Sequence, residues 1–410
     1  MTSYSIVAPQ KIETTIDLPR SKSISNRLLI LSQLAGSMQL PSKLSDSDDT
    51  DVMTTALRSD MSHVDIGAAG TSMRFLTAYL ATKEGQHYIT GSERMKQRPI
   101  ALLVDALRSL GARIEYTEKE GFPPLQIEGG SLRGNEVCLP GNVSSQYISA
   151  LMMIGPTISG GLRIRLEGEI GSRPYIEMTK ELMRMFGAEV GWTTENIIEI
   201  GDKKYTYVQT EVEADWSAAS YWYSVVALCP GAVVRLQGLQ KNSLQGDKEI
   251  ANIMRPLGVE SVFETNGDVV LTHTGNSVVH YEIDFASQPD LAQTLVCLCP
   301  VLGVRFKFTG LASLRIKETD RMMALIDEMR KFGYVIKCNG VDTMMWDGEE
   351  TERAEPIVIK TYKDHRMAMA FAPLSLRKGK FLIDEPSVVS KSYPTFWQDM
   401  AKARFEIKEA

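Results

Sequence analysis

Four stretches of the chain repeat one pattern of apolar and polar positions. They are RPIALLVDALRSLGARIEY, PYIEMTKELMRMFGAEVGW, KEIANIMRPLGVESVF and TDRMMALIDEMRKFGYVIK. In each, apolar residues recur at helical spacing, as at Ile100, Val104, Leu107 and Leu110, or at Met323, Ile326, Met329 and Phe332. A glycine follows, then an alternating, strand-like run. The glycines are Gly111, Gly187, Gly258 and Gly333, spaced 71–76 residues apart. A glycine at that position ends a helix in the left-handed region at little steric cost. Two weaker copies flank these four, TDVMTTALRSDMSHVDI near the start and PTFWQDMAKARFEIK at the end. The reading is six helix–Gly–strand modules arising by duplication. Between them, LQIEGG, VCLPG, LRIRLEG, VVRLQG, DVVLTH and KFTGL read as strands. The apolar run 217–234 carries Ser, Pro and Gly and predicts a buried helix leading into a strand. A domain boundary is expected near 210–215.

Length and composition sharpen this picture. With 410 residues the chain exceeds one ordinary core, and 43% hydrophobic with 23% charged residues is a soluble, globular composition. The net charge of −6 argues against a nucleic-acid binder. No run is long and apolar enough to predict a membrane span, and the N-terminus has no signal or transit pattern. The expected address is the cytoplasm. Five scattered cysteines fit a reducing compartment; Cys297 and Cys299 lie in an apolar segment and read as buried. The five histidines show no ligand spacing, so no metal is expected.

Six motifs are not explained by packing. LPRSKSISNRLLIL places Lys22, Ser23 and Arg27 at a hydroxyl-rich helix start, which reads either as an anion site or as an ordinary cap. DIGAAGTSMRFL offers small residues, Gly70 among them, through which a ligand can approach backbone amides. It matches neither the dinucleotide nor the P-loop pattern. TGSERMKQRPI carries Arg94, and LPGNVSSQYISALMM opens a helix with Ser144, Ser145 and Gln146. In LRIKETDRMMALIDEM, Lys317 and Arg321 stand four residues apart, where like charges repel unless an anion lies near. TYKDHRMAMAFAPL and VVSKSYPTFW add Arg366 and Lys391. A cationic cluster in an acidic chain focuses small polyanions carrying phosphate and carboxylate groups.

These motifs, in this order, resemble the EPSP synthases (3-phosphoshikimate 1-carboxyvinyltransferases) of the enolpyruvyl transferase family. The resemblance rests on S-K-S-x-S-N-R at Ser21 to Arg27, A-G-T-x-M-R at Ala69 to Arg74 and R-M-x-x-R-P-I at Arg94 to Ile100. S-S-Q at Ser144 to Gln146, S-x-P-Y at Ser172 to Tyr175 and K-E-T-D-R at Lys317 to Arg321 extend it. D-H-R-M-A-M at Asp364 to Met369 and K-S-Y-P at Lys391 to Pro394 complete it. It implies an α/β fold of two domains, each of three βαβαββ repeats, an inside-out α/β barrel. The N-terminal domain would span 21–212 and mainly bind shikimate 3-phosphate. The C-terminal domain would span 213–410 together with 1–20.

The implied reaction transfers the enolpyruvyl group of phosphoenolpyruvate to the 5-hydroxyl of shikimate 3-phosphate, with no cofactor. By resemblance, shikimate 3-phosphate is held by Lys22, Ser23, Arg27, Ser144, Ser145, Gln146, Ser172, Tyr175, Asp290 and Lys317. Phosphoenolpyruvate is held by Lys22, Gly70, Arg94, Gln146, Arg321, Arg366 and Lys391. Asp290, Glu318 and Lys22 carry the catalysis. Gly70 would also admit the inhibitor glyphosate to the same pocket. The expected partners are these two small molecules, with no nucleic acid and no membrane, and the expected state is a monomer. The seven cations Lys22, Arg27, Arg94, Lys317, Arg321, Arg366 and Lys391 are divided between the two halves, so the free protein is expected to be open and to close on shikimate 3-phosphate.

The chain departs from the family pattern at Ala68 and Ser313, where Asn is common, and at Arg20, where Gly is usual. Asp215 matches a family acidic position without an assigned role. The nearest rival, UDP-N-acetylglucosamine enolpyruvyl transferase, carries a reactive loop cysteine that has no counterpart here. A non-catalytic anion binder of the same fold would be expected to lack Asp290, Glu318 or Lys391.

Overall fold

The computed structural model describes residues 2–275 and 277–410. The chain divides into two units, one of residues 20–212 and one of residues 1–19 with 213–410. Among the described residues there are five four-stranded sheets, two in the first unit and three in the second. All five share one plan. In the sheet built on strands His63–Asp65, Gly85–Thr90, Leu125–Gly129 and Arg113–Tyr116, the first pair is parallel and the others antiparallel. A helix follows each of the first two strands, Gly70–Ala81 and Ala101–Ser109, which gives the order βαβαββ. The sheets beginning at Glu136–Pro140 and His280–Asp284 repeat it.

The helix–Gly–strand pattern is the second half of this module. Gly111, Gly187, Gly258 and Gly333 all have φ between 86° and 95°, and each follows its helix directly. All six strand candidates named from the sequence are strands; Leu162–Glu167 alternates buried Leu162, Ile164 and Leu166 with exposed Arg163, Arg165 and Glu167. The apolar run is helix Trp216–Leu228 leading into strand Val233–Gln237. Its third strong helix is short, Ile250–Met254, because Pro256 cannot continue it.

Two features were not visible in the repeat. Strand Ser3–Val7 completes the last sheet, between Phe381–Asp384 and Glu406–Glu409, and strand Glu13–Asp17 pairs in parallel with Val233–Gln237. The start of the chain therefore supplies strands to modules far along it. The sixth module, expected as a full repeat, carries helices Lys22–Leu34 and Asp48–Arg58 but forms only the isolated Ser42–Glu211 bridge among the described residues. Pro41 lacks a donor, and GDKKYTYVQTEV offers little apolar alternation for a sheet to bury.

Each unit is organised on the first helices of its modules. Lys22–Leu34, Gly70–Ala81 and Ser145–Ile154 pack together in the first unit; Trp216–Leu228, Ala292–Val301 and His365–Phe371 do so in the second. Apart from Lys22–Leu34, which buries Ser, Asn and Arg among its apolar residues, these helices are apolar nearly all round and almost wholly buried. Cys297 and Cys299 are fully buried in one of them. Burial leaves their backbone satisfied within the helix except at the ends, where amides remain for side chains or ligands.

Candidate active site

In the unit of residues 20–212, the motif residues gather at the N-termini of its three central helices and of the helix that follows them. Ser21 caps the Lys22–Leu34 helix, its hydroxyl accepting from Ile24 N at 3.5 Å. Lys22 Nζ lies 3.1 Å from an oxygen of buried Asp49. Arg27, one turn along, is 2% exposed. Its guanidinium donates to Thr179 Oγ1 at 2.7 Å, to Ser149 Oγ at 3.2 Å and to the carbonyls of Ser23 and Tyr175. It also lies over the Phe75 ring. Burial among these neutral groups pulls it down to about 10.

Gly70 opens its helix under a second cation. A Cβ there would lie 2.5 Å from Arg98 Nη1. Arg98 is 7% exposed; the sequence places it in the same basic loop and motif as Arg94, which is exposed, but gives it no site role. Arg74 of the same helix donates to the carbonyls of Gly70 and Pro99, both at 3.2 Å. Ser144 caps the third helix by accepting from Gln146 N, and the Gln146 side chain donates to Thr71 Oγ1 at 3.0 Å. This bond joins the S-S-Q and A-G-T motifs. Ser145 is buried behind them. Ser172 precedes helix Arg173–Met185 with φ 51°, a left-handed conformation that costs a non-glycine residue energy and is retained where surroundings enforce it. Tyr175, on the first turn of that helix, gives its carbonyl to Arg27.

The unit containing 213–410 builds something different: an ion network. Arg321, 2% exposed, makes a two-pronged contact to Asp364 at 2.7 and 3.2 Å. It also reaches Glu318 at 2.9 Å and Asp290 at 3.2 Å. Asp290 is further paired with Arg366 at 3.1 Å and Lys317 at 3.5 Å, and Glu318 with Lys391 at 2.9 Å. Burial pushes the Asp290 carboxyl up, but Arg366, Lys317 and Arg321 outweigh it and hold it far below the usual carboxylate range. Burial lowers Lys317, with Asp290 opposing. Arg321 goes the other way: burial is outweighed by Asp364, Glu318 and Asp290, which raise it.

Three acids of this unit sit at helix starts. Asp215 caps Trp216–Leu228, Asp364 caps His365–Phe371, and Asp290 precedes Ala292–Val301 in a 3-10 turn. Behind Asp290 lies Asp247, buried and bonded to Ser217 Oγ; burial, then the charge of Asp290, pushes it up to about 6. Tyr221 Oη lies 3.4 Å from Arg366 Nη1, which also donates to the Asp290 carbonyl at 3.1 Å.

The structure thus brings Lys22, Ser23 and Arg27 onto one helix start, Gly70 and Gln146 together through Thr71, and Asp290, Lys317, Glu318, Arg321, Arg366 and Lys391 into one network. Sequence reasoning missed Asp49, Tyr221 and Asp247, and it named Arg98 and Asp364 in motifs without giving them a site role. For Asp364 the signal was present, an acid directly before a basic residue pair at a helix start; for Asp247 and Tyr221 no local signal exists. Ordered cations and proton-carrying acids at helix ends suit chemistry on a polyanion with proton transfer.

The description EPSP synthase (3-phosphoshikimate 1-carboxyvinyltransferase) belongs to a family model that matches residues 59–400. A Bacteroides fragilis protein named 3-phosphoshikimate 1-carboxyvinyltransferase is 54% identical over 405 residues, covering 99% of this chain and 98% of its own. A Tolumonas auensis protein of the same name is 35% identical over 434 residues, covering 98% of this chain and 99% of its own. The solved structure of EPSP synthase from Acinetobacter baumannii superposes with a TM-score of 0.77 over 100% of both chains at 23% identity, a likeness of fold. By motif order, module plan and full-length similarity, the chain belongs to the EPSP synthase (3-phosphoshikimate 1-carboxyvinyltransferase) family.

Proposed function

We propose that this protein transfers the enolpyruvyl group of phosphoenolpyruvate to the 5-hydroxyl of shikimate 3-phosphate, releasing phosphate, in aromatic amino acid biosynthesis. The observation that carries the reading is the network in which four cations, Lys317, Arg321, Arg366 and Lys391, share the carboxylates Asp290 and Glu318. Such a set can hold an anionic substrate and move protons beside it.

In this reading Lys22, Ser23, Arg27, Ser144, Ser145, Gln146, Ser172, Tyr175, Asp290 and Lys317 hold shikimate 3-phosphate. Lys22, Gly70, Arg94 and Gln146, with Arg321, Arg366 and Lys391, hold phosphoenolpyruvate. Asp290 accepts the proton of the attacking hydroxyl, whose oxygen forms a bond to C2 of phosphoenolpyruvate. Glu318 gives its proton to C3, so that C2 becomes tetrahedral. Phosphate then leaves C2 with the C–O bonding pair and takes up the proton held by Asp290, and the Glu318 carboxylate takes a proton back from C3 to restore the double bond. Lys22 and the arginines stabilise the charge that gathers on the intermediate and on departing phosphate.

Asp290 gripped by three cations is a poor base. A bound phosphate or carboxylate that takes over part of Arg321 and Arg366 weakens that grip and makes Asp290 more basic when substrate is present. The same reading makes the protein a cytoplasmic monomer acting on small anions, without nucleic acid. Phosphate release from phosphoenolpyruvate with shikimate 3-phosphate present tests the assignment; the expected result is release dependent on both compounds. No release, or equal release without shikimate 3-phosphate, contradicts it.

A further inference from the structure

Among the described residues, seven non-glycine residues have positive φ, and four stand directly before helical starts that carry site residues: Ser172, Tyr362, Lys363 and Glu385. Tyr362 and Lys363 are consecutive, at 53° and 56°, immediately ahead of Asp364 and Arg366. Two adjacent left-handed side-chain-bearing residues are unstable unless both ends are held.

Both ends are held by one helix. Arg321, the first residue of helix Arg321–Lys331, grips Asp364 with two bonds. Two turns later on the same helix, Glu328 is fully buried. One of its oxygens accepts from Tyr362 Oη at 2.8 Å. The other accepts from Lys360 N at 3.0 Å and from Lys331 Nζ at 2.6 Å, and Lys331 also donates to the Val358 carbonyl at 2.7 Å. The Asp364 amide closes the turn on the Thr361 carbonyl at 2.9 Å. Glu328 therefore fastens the entry to the turn, and Arg321 its exit.

We propose that Glu328, acting through Tyr362 and Lys360, is a positioning residue that holds the left-handed 362–363 turn so that Asp364 and Arg366 face the ion network. The inference rests on the reading in which Arg366 holds phosphoenolpyruvate. If the clamp loosens, the two residues relax toward ordinary backbone and the start of helix His365–Phe371 shifts, with Arg366 on it. Binding of phosphoenolpyruvate then suffers, while shikimate 3-phosphate, held largely by other residues, does not.

Steady-state kinetics with each substrate varied separately test this on Tyr362→Phe, Lys363→Gly, the double variant and Arg366→Lys. Lys363 is exposed, and glycine takes the left-handed conformation without cost, so it eases the turn while removing no buried contact. Tyr362→Phe is expected to raise KM for phosphoenolpyruvate about 5–10-fold, the scale of one lost buried hydrogen bond. KM for shikimate 3-phosphate stays within about twofold, and Lys363→Gly in the same chain restores most of the loss, which a general loss of stability would not do. A KM for phosphoenolpyruvate that stays at the parent value, an equal rise for both substrates, or no rescue by Lys363→Gly overturns the inference, provided Arg366→Lys raises KM for phosphoenolpyruvate. If Arg366→Lys leaves that KM unchanged, the assignment of Arg366 falls, and the positioning role with it.

Discussion

Two buried arginines, one in each unit, are treated in opposite ways. Arg27, in the unit of 20–212, is surrounded by two hydroxyls and two carbonyls. Arg321, in the other, is surrounded by three carboxylates. The first arrangement leaves the cation's charge uncancelled, so an incoming anion gains from it without displacing anything. The second cancels the charge internally, so an anion must compete with Asp290 and Glu318. On the proposed reading, one unit attracts a polyanion and the other exchanges its own ion pairs for those of the ligand. On the same reading, that exchange frees Asp290 and Glu318 to handle protons only when substrate is bound.

Removing the proton carriers should have the largest effect. Asp290→Asn and Glu318→Gln keep shape and burial, and each should lower kcat on the order of 10²–10⁴-fold. KM values should move far less, since these protons matter in the transition state. A kcat within about threefold of the parent removes that residue from the mechanism.

The contrast between the arginines predicts a difference in stability. Arg321→Met strands three carboxylates and should cost about 3–5 kcal/mol. Arg27→Met strands neutral groups and should cost about 1–3 kcal/mol. Denaturant unfolding of both variants measures the gap; equal losses would break the comparison.

Asp247 sharpens it from the acid side. Its carboxyl is 3% exposed and pushed up to about 6 by burial and by Asp290. The folded state then binds more protons than the unfolded one between about pH 4 and 6, so this group's contribution to stability falls as pH rises through that window. Asp247→Asn should therefore stabilise the protein by up to about 3 kcal/mol above pH 7 and by little near pH 4. Thermal unfolding at the two pH values checks the sign; a gain that is larger at pH 4 contradicts it.

The smallest effect is expected at Gly70. A methyl there meets the Arg98 guanidinium at 2.5 Å, so Gly70→Ala displaces a buried cation as well as narrowing the pocket. KM for phosphoenolpyruvate should rise a few-fold, on the order of 1 kcal/mol, and inhibition by glyphosate, the longer molecule, should weaken more. Equal inhibition of variant and parent counts against this position of Gly70.

What the sequence disclosed follows the same division. Local signals were readable: helical spacing, the terminating glycines, and the hydroxyl and cation motifs at helix starts. Pairings made across the fold were not. Nothing near Arg27 announces Thr179 or Ser149, and nothing near Arg321 announces Asp364, 43 residues away. The insertion of Ser3–Val7 into the last sheet is a tertiary event with no local mark. Left-handed Ser172, Tyr362 and Lys363 are likewise invisible, because residue type signals that conformation only for glycine and, weakly, asparagine and aspartate. The missing sixth sheet was hidden by a helix that matched the repeat well enough.

Anions are expected to compete with internal carboxylates in the second unit. Calorimetric titration of phosphoenolpyruvate into Glu318→Gln tests it most directly, because Glu318 occupies both Arg321 and Lys391 at 2.9 Å. This variant, though slow in turnover, should bind phosphoenolpyruvate about 3–10-fold more tightly than the parent, as expected when a competing charge is removed from a partly buried site. Binding that is unchanged or weaker would contradict it.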